Sequence, residues 1–145
     1  MDKDNKLIPG LPSGFEDRWD KKLLLKKKLL KAIEENFIKF GAVALETPSF
    51  EISENIGSFL AEDDSNPMSS DVFTFQDGEK SITLRYDLSS PLARFVAQNN
   101  QDLPSIFKRY AIQNVFRNEK GGNGRYREFM QADFCLLYTS DAADD

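Results

Sequence analysis

Residues 116–131 read Phe116-Arg117-Asn118-Glu119-Lys120-Gly121-Gly122-Asn123-Gly124-Arg125-Tyr126-Arg127-Glu128-Phe129-Met130-Gln131, and the rest of the chain is organised around them. Ahead of this run, Ile106 to Glu119 carries Phe107, Tyr110, Ile112, Val115 and Phe116, the β-branched and aromatic content of a strand. The glycine-rich loop Lys120 to Asn123 ends that strand, and a second strand returns through Asp133. Side chains alternate across a strand, so Gln113, Arg117 and Glu119 are expected on one face. Arg125, Arg127, Phe129, Gln131 and Asp133 are expected on one face of the partner. That is a heavily charged face for a core strand.

Arginines on facing strands, a carboxylate two residues beyond the first, and a ring among polar positions can serve as phosphate clamp, amine acceptor and base-stacking surface. The combination suits a purine triphosphate. The same spacing also fits a solvated hairpin laced by cross-strand ion pairs, and spacing alone leaves both readings open.

Composition narrows the field. The chain has 145 residues, 40% of them hydrophobic and 12% aromatic, enough for one domain with a single core. It has no apolar run of membrane-spanning length and no signal-peptide core behind Met1-Asp2-Lys3-Asp4-Asn5-Lys6, so no membrane partner and a cytoplasmic location are expected. One cysteine, Cys135, and no histidine exclude an intrachain disulfide, a zinc site of the usual type and histidine acid/base catalysis. A net charge of -5 argues against a generally basic nucleic-acid surface, so any RNA contact must be local.

Met1 to Gly14 reads as an irregular segment. A helix is predicted from Asp17 to Lys39, with Trp19, Leu23, Leu30, Ile33 and Phe37 on one side and Lys26 snorkelling at its edge. Its many lysines fit a wet helix face or an RNA patch. Gly41 stops the helix, and Ala42 to Leu45 reads as a short strand ending at Thr47-Pro48. An uncovered edge strand there would favour a partner chain. Ala61 to Asp71 is a polar loop. Val72 to Phe75 and Ser81 to Asp87 flank Asp77-Gly78, a hairpin signature, with Ile82, Leu84 and Tyr86 facing one way and Thr83, Arg85 and Asp87 the other. Ser90-Pro91 reads as N-cap and first residue of a helix through about Gln98. Asp87 beside this corner suits capture of an amine, or a surface ion pair with Arg85.

Phe-Arg-x-Glu at 116–119, the short loop, and Gly124-Arg125-Tyr126-Arg127-Glu128-Phe129-x-Gln131 resemble motif 2 of class II aminoacyl-tRNA synthetases, those of the histidyl type in particular. The resemblance extends through Leu84-Arg85-Tyr86-Asp87-Leu88-Ser89-Ser90-Pro91-Leu92-Ala93-Arg94, and Gly41 through Glu51 is similar to motif 1. It implies an α+β fold, an antiparallel β-sheet flanked by helices. It also implies activation of L-histidine with ATP and Mg²⁺, transfer to tRNA(His), and a homodimer with Pro48 at its interface. The resemblance assigns Arg117 to the ATP α-phosphate as the catalytic arginine and Glu119 to the adenine amine. It makes Arg125 a further nucleotide contact and Phe129 the ring on adenine, with Asp87, Ser89 and Gln131 on histidine. No resident metal site is expected.

The chain departs from the family pattern after Phe134. Cys135 stands where the family has a substrate-binding carboxylate, and residues 135–145 read as a non-native tail. Motif 3, the histidine-specific loop and an anticodon-binding domain are not found. The expectation is therefore a truncated catalytic domain over 1–134, inactive alone. A synthetase-like regulatory subunit of ATP phosphoribosyltransferase and a non-catalytic dimerisation module are the competing readings.

Overall fold

The structure is a computed structural model in which residues 8–56 and 71–138 are described. Most of the polar loop expected from Ala61 onward, and the last part of the expected tail, lie outside these residues. Helix α1 (Asp20–Lys39) leads into β1 (Val43–Ala44), β2 (Phe50–Ile52) and a single 3₁₀ turn, Ser53–Ile56. The hairpin β3 (Thr74–Asp77) and β4 (Lys80–Leu84) follows, then α2 (Ser89–Asn99) and the long pair β5 (Ile106–Phe116) and β6 (Glu128–Tyr138). Among the described residues no helix is long and apolar enough to cross a membrane.

The strands form two three-stranded sheets, β1-β5-β6 and β2-β4-β3. All pairings are antiparallel except β1 with β5. In the long pair Gln113 lies opposite Gln131, Val115 opposite Phe129 and Arg109 opposite Cys135. The ladder continues through Leu137 and Tyr138 without a break at Phe134. β1 stands at the edge of its sheet, with Val43 and Pro48 exposed.

Leu23, Lys26, Leu30, Ile33 and Phe37 recur at helical spacing and form the half-buried face of α1. The Phe37 ring packs 5.7 Å from Tyr110 and 5.6 Å from Phe134, and the Tyr110 hydroxyl donates to Glu34 Oε1 at 3.0 Å. Trp19 does not share this face. It precedes the first helical turn with extended backbone and is 76% exposed, because helical periodicity does not reach it. Gly41 closes the helix at φ +76°, where its N–H bonds Ile38 O.

The small sheet inverts the usual burial pattern. Thr83 and Arg85 are buried, and Ile82 and Leu84 are only half covered. Arg85 donates from Nε to Asn114 O at 2.6 Å and from Nη1 to Thr47 O at 2.7 Å, so one side chain ties β5 to the segment after β1. Its backbone adds Arg85 N to Ser49 O and Phe116 N to Arg85 O. Burial pulls the guanidinium pKa down, and Glu46 and Glu51 oppose this. The competing reading of a surface ion pair between Arg85 and Asp87 is therefore not supported. Glu51, also buried, takes Arg94 bidentately at 2.7 and 2.8 Å, joining β2 to α2. The core between α2 and the long pair consists of Leu88, Ala111 and Val115, with Phe129 against it.

Candidate functional site

The site forms where β5 and β6 run past their last ladder pair. Phe116 opposite Glu128 is that pair, and Arg117 N then bonds Arg127 O at 2.8 Å. Beyond it a tight turn pairs Gly122 with Arg125 through N–H···O bonds of 3.2 and 3.0 Å, and Gly124 has φ +75°. This turn resets the alternation that the sequence predicts. Arg125 faces the cavity, but Arg127 leaves it and lies over the Phe73 and Phe15 rings at 4.6 and 5.9 Å. The expectation that both arginines share one face is thus corrected.

Arg117, Glu119, Gly124, Arg125, Tyr126 and Phe129 line a cavity of about 260 Å³. The Arg117 guanidinium carbon is 4.5 Å from the centre of the Tyr86 ring and 5.1 Å from that of Phe129. Its Nε is buried without a hydrogen-bond partner. Glu119 lies between the two cations, 4.0 Å from Arg117 Nη1 and 3.6 Å from Arg125 Nη2. These distances exceed hydrogen-bond length, so donors on both arginines remain available to an anion. Tyr86, which closes one side of Arg117, was assigned only to the apolar face of its strand. Its place two residues beyond β4, beside Asp87, is the signal that marks it.

The residues expected to hold an amino acid do not line this cavity. Asp87 Oδ1 accepts the Ser90 N–H at 3.1 Å, so Asp87 caps α2, and Ser90 lies inside the helix instead of capping it. Asp87 follows Tyr86, stacked on Arg117, and precedes the buried Leu88. Ser89, the first residue of α2, lines a second cavity of about 530 Å³ with Arg109, Asp133, Cys135 and apolar residues of α2 and β6. Gln131 lies half-buried on β6 opposite Gln113, whose amide is taken up by the Thr47 backbone. Asp87 and Gln131 line neither of these two cavities.

Below Ser89, Arg109 is 1% exposed and donates to Asp133 Oδ2 at 2.5 Å and Leu88 O at 3.2 Å. Sequence reading missed this pair. Among the described residues no group of three metal-ligating side chains comes together. The single carboxylate of the smaller cavity, Glu119, already faces two cations. These residues therefore do not form a cage for a resident Mg²⁺, which usually takes one or two carboxylates and the phosphates of its nucleotide.

The family described as tRNA synthetases class II core domain (F) matches residues 16–141. The chain is 77% identical over 137 residues to the histidine–tRNA ligase of Pelagibacter ubique (strain HTCC1062), covering 94% of this chain and 29% of that protein. It is 43% identical over 132 residues to the histidine–tRNA ligase of Helicobacter pylori (strain ATCC 700392 / 26695), covering 90% of this chain and 29% of the relative. The crystal structure of histidyl-tRNA synthetase from Nostoc sp. PCC 7120 superposes with a TM-score of 0.71 at 26% identity, over 86% of this chain and 28% of that one. A structure from Bacillus halodurans C, described as an ATP phosphoribosyltransferase regulatory subunit/histidyl-tRNA synthetase, gives 0.72 at 26% identity, over 94% of this chain and 33% of its own. The chain spans about 29% of the length of the curated relatives it matches.

Proposed function

Because the chain belongs to the class II tRNA synthetase core-domain family, we propose that it is the nucleotide-gripping part of a histidine–tRNA ligase. The full ligase would activate L-histidine with MgATP and pass it to tRNA(His). The observation that carries this reading is the cavity between Arg117, Glu119, Arg125 and Phe129, where two guanidinium groups flank an acid beside a ring. Arg117 would hold the α-phosphate and Glu119 the adenine amine. Phe129 would pack on the base, and Arg125 would meet the outer phosphates.

Adenylate formation is an in-line attack of the amino-acid carboxylate on phosphorus, with pyrophosphate leaving. The protein contributes position and charge, and no side-chain nucleophile is needed. Arg117 suits that role because rings on two sides fix its plane while its donors stay unspent. Asp87, Ser89 and Gln131 are the residues proposed to take histidine, with Asp87 oriented by the α2 N-terminus. Mg²⁺ enters as part of the nucleotide substrate.

A second copy is proposed to cover the β1 edge near the exposed Pro48. The reading sets the work in the cytoplasm, and it treats residues 135–145 as a non-native end to the domain. The regulatory-subunit alternative keeps support from the Bacillus structure. The intact Arg117, Glu119 and Arg125 set favours the ligase, since a regulator needs no complete ATP clamp.

The test is titration of the 145-residue chain with a fluorescent ATP analogue carrying its label on the ribose. Binding is expected, and Arg117→Ala should weaken it about 100-fold. Binding unchanged in Arg117→Ala would overturn the ATP assignment. Histidine-dependent ATP–pyrophosphate exchange by this chain alone is expected to be undetectable.

A further inference from the structure

The segment from Pro12 to Arg18 lies across the loop that walls the smaller cavity. It turns at Pro12 O to Phe15 N, 3.2 Å, with Gly14 at φ +82°. Gly14 O then accepts the Arg127 N–H at 2.7 Å. The approach leaves no room for a side chain, since a β-carbon on Gly14 would meet Arg127 Cγ at 2.5 Å. One on Gly121 would meet Gly14 Cα at 3.0 Å, so the two glycines press the segment and the loop together. Arg127 holds the same place through its side chain, over Phe73 and Phe15.

At the other end of the segment the grip passes to the cavity wall. Tyr126 lines the cavity, and its phenol is placed to donate to the Glu16 carboxylate, which it holds below its ordinary pKa. Arg18 Nε bonds Glu16 Oε1 at 2.6 Å while its guanidinium lies 5.5 Å from the Tyr126 ring centre. The segment therefore holds Tyr126 at its hydroxyl and at its face, between Arg125 and the residue whose carbonyl seats Arg117. A loop of this glycine content would otherwise sample many conformations.

We infer that Glu16, through Arg18 and Tyr126, is a positioning residue for nucleotide binding. The segment 12–18 is a strap that holds the motif 2 loop in its binding geometry before ATP arrives. The inference rests on the ATP reading above and adds to it a control outside the cavity. Preorganisation of this kind tightens binding by removing the ordering cost from the binding step.

The test uses the 145-residue chain and the same ribose-labelled ATP analogue. Glu16→Ala and Tyr126→Phe should each weaken binding about fivefold, the scale of one hydrogen bond. The double variant should bind no more weakly than either alone, because both remove the same bond. Glu16→Gln, whose side-chain oxygen still accepts from the phenol, should restore most of the affinity. Thermal midpoints should stay close to wild type throughout, which separates positioning from loss of fold. Wild-type affinity in Glu16→Ala and Tyr126→Phe, with binding lost in Arg117→Ala, would overturn the strap and leave the ATP site standing. An additive double variant, or Glu16→Gln as weak as Glu16→Ala, would also overturn it. Failure of the wild-type chain to bind the analogue would overturn the ATP reading itself, and the strap with it.

Discussion

Two neighbourhoods of arginine in this chain obey opposite rules. Away from the loop, Arg85, Arg94 and Arg109 commit their terminal nitrogens or Nε to fixed acceptors, with contacts of 2.5 to 2.8 Å to Asn114 O, Thr47 O, Glu51 and Asp133, although Arg109 Nε itself has no partner among the described residues. At the loop end of the long strand pair, Arg117 and Arg125 come no closer than 4.0 and 3.6 Å to the one acid between them. Both groups carry the same charge, but among the described residues Arg117 and Arg125 have no acceptor within hydrogen-bond reach of their terminal nitrogens. A buried cation must be paired where it stands, whereas one beside a cavity can leave its donors for an anion that arrives later. The open group marks the site because its terminal nitrogens lack a close acceptor.

The largest effect that would test this division lies inside. Arg85→Met removes two charge-assisted bonds and leaves the Asn114 and Thr47 carbonyls without those partners. It should destabilise the chain by about 3 kcal/mol in urea unfolding. Arg117→Met, at the open end, should cost less than about 1 kcal/mol, since it gives up ring contacts and a loose ion pair. Equal costs at the two positions would erase the distinction between spent and unspent arginines.

The sequence made the open group legible and concealed the interior one. Arg117, Glu119, Arg125 and Phe129 are close in sequence and follow one strand pair, so alternation and a loop suffice to gather them. The interior cations depend on partners 24 to 43 residues away. Alternation also misleads there, because Arg85 shares a strand face with Thr83 that looks solvent-facing until the second sheet covers it. Arg127 failed for a local reason, the Gly122–Arg125 turn, which shifts the face by ending the ladder at Glu128. The strap was invisible, since nothing within 12–18 indicates that it returns to residues 121–127. Gly14 is explained by its positive φ and by Arg127, and Gly121 by Gly14.

The smallest expected effect concerns the bond that joins strap to loop, and pH can isolate it. The Tyr126 hydrogen bond is the largest influence holding the Glu16 carboxyl below its ordinary pKa, helped by Arg18 and Lys22 and opposed by burial. A carboxyl depressed on folding contributes stability that is complete above its unfolded pKa and is lost as pH falls through the folded value. For Tyr126 the sign is reversed. Its bond to Glu16 raises the phenol, with the Glu16 charge and burial adding and Arg18 opposing. That contribution is complete below the unfolded pKa and is lost as pH rises through the folded one. The difference in urea midpoint between wild type and Tyr126→Phe should therefore be flat from roughly pH 5 to roughly pH 9 and shrink beyond both ends. Other carboxylates titrate in both proteins and cancel in the difference. A difference that persists unchanged to roughly pH 3 would mean that the phenol does not rely on the Glu16 charge. The strap would then hold the loop through Arg127 and the two glycines alone.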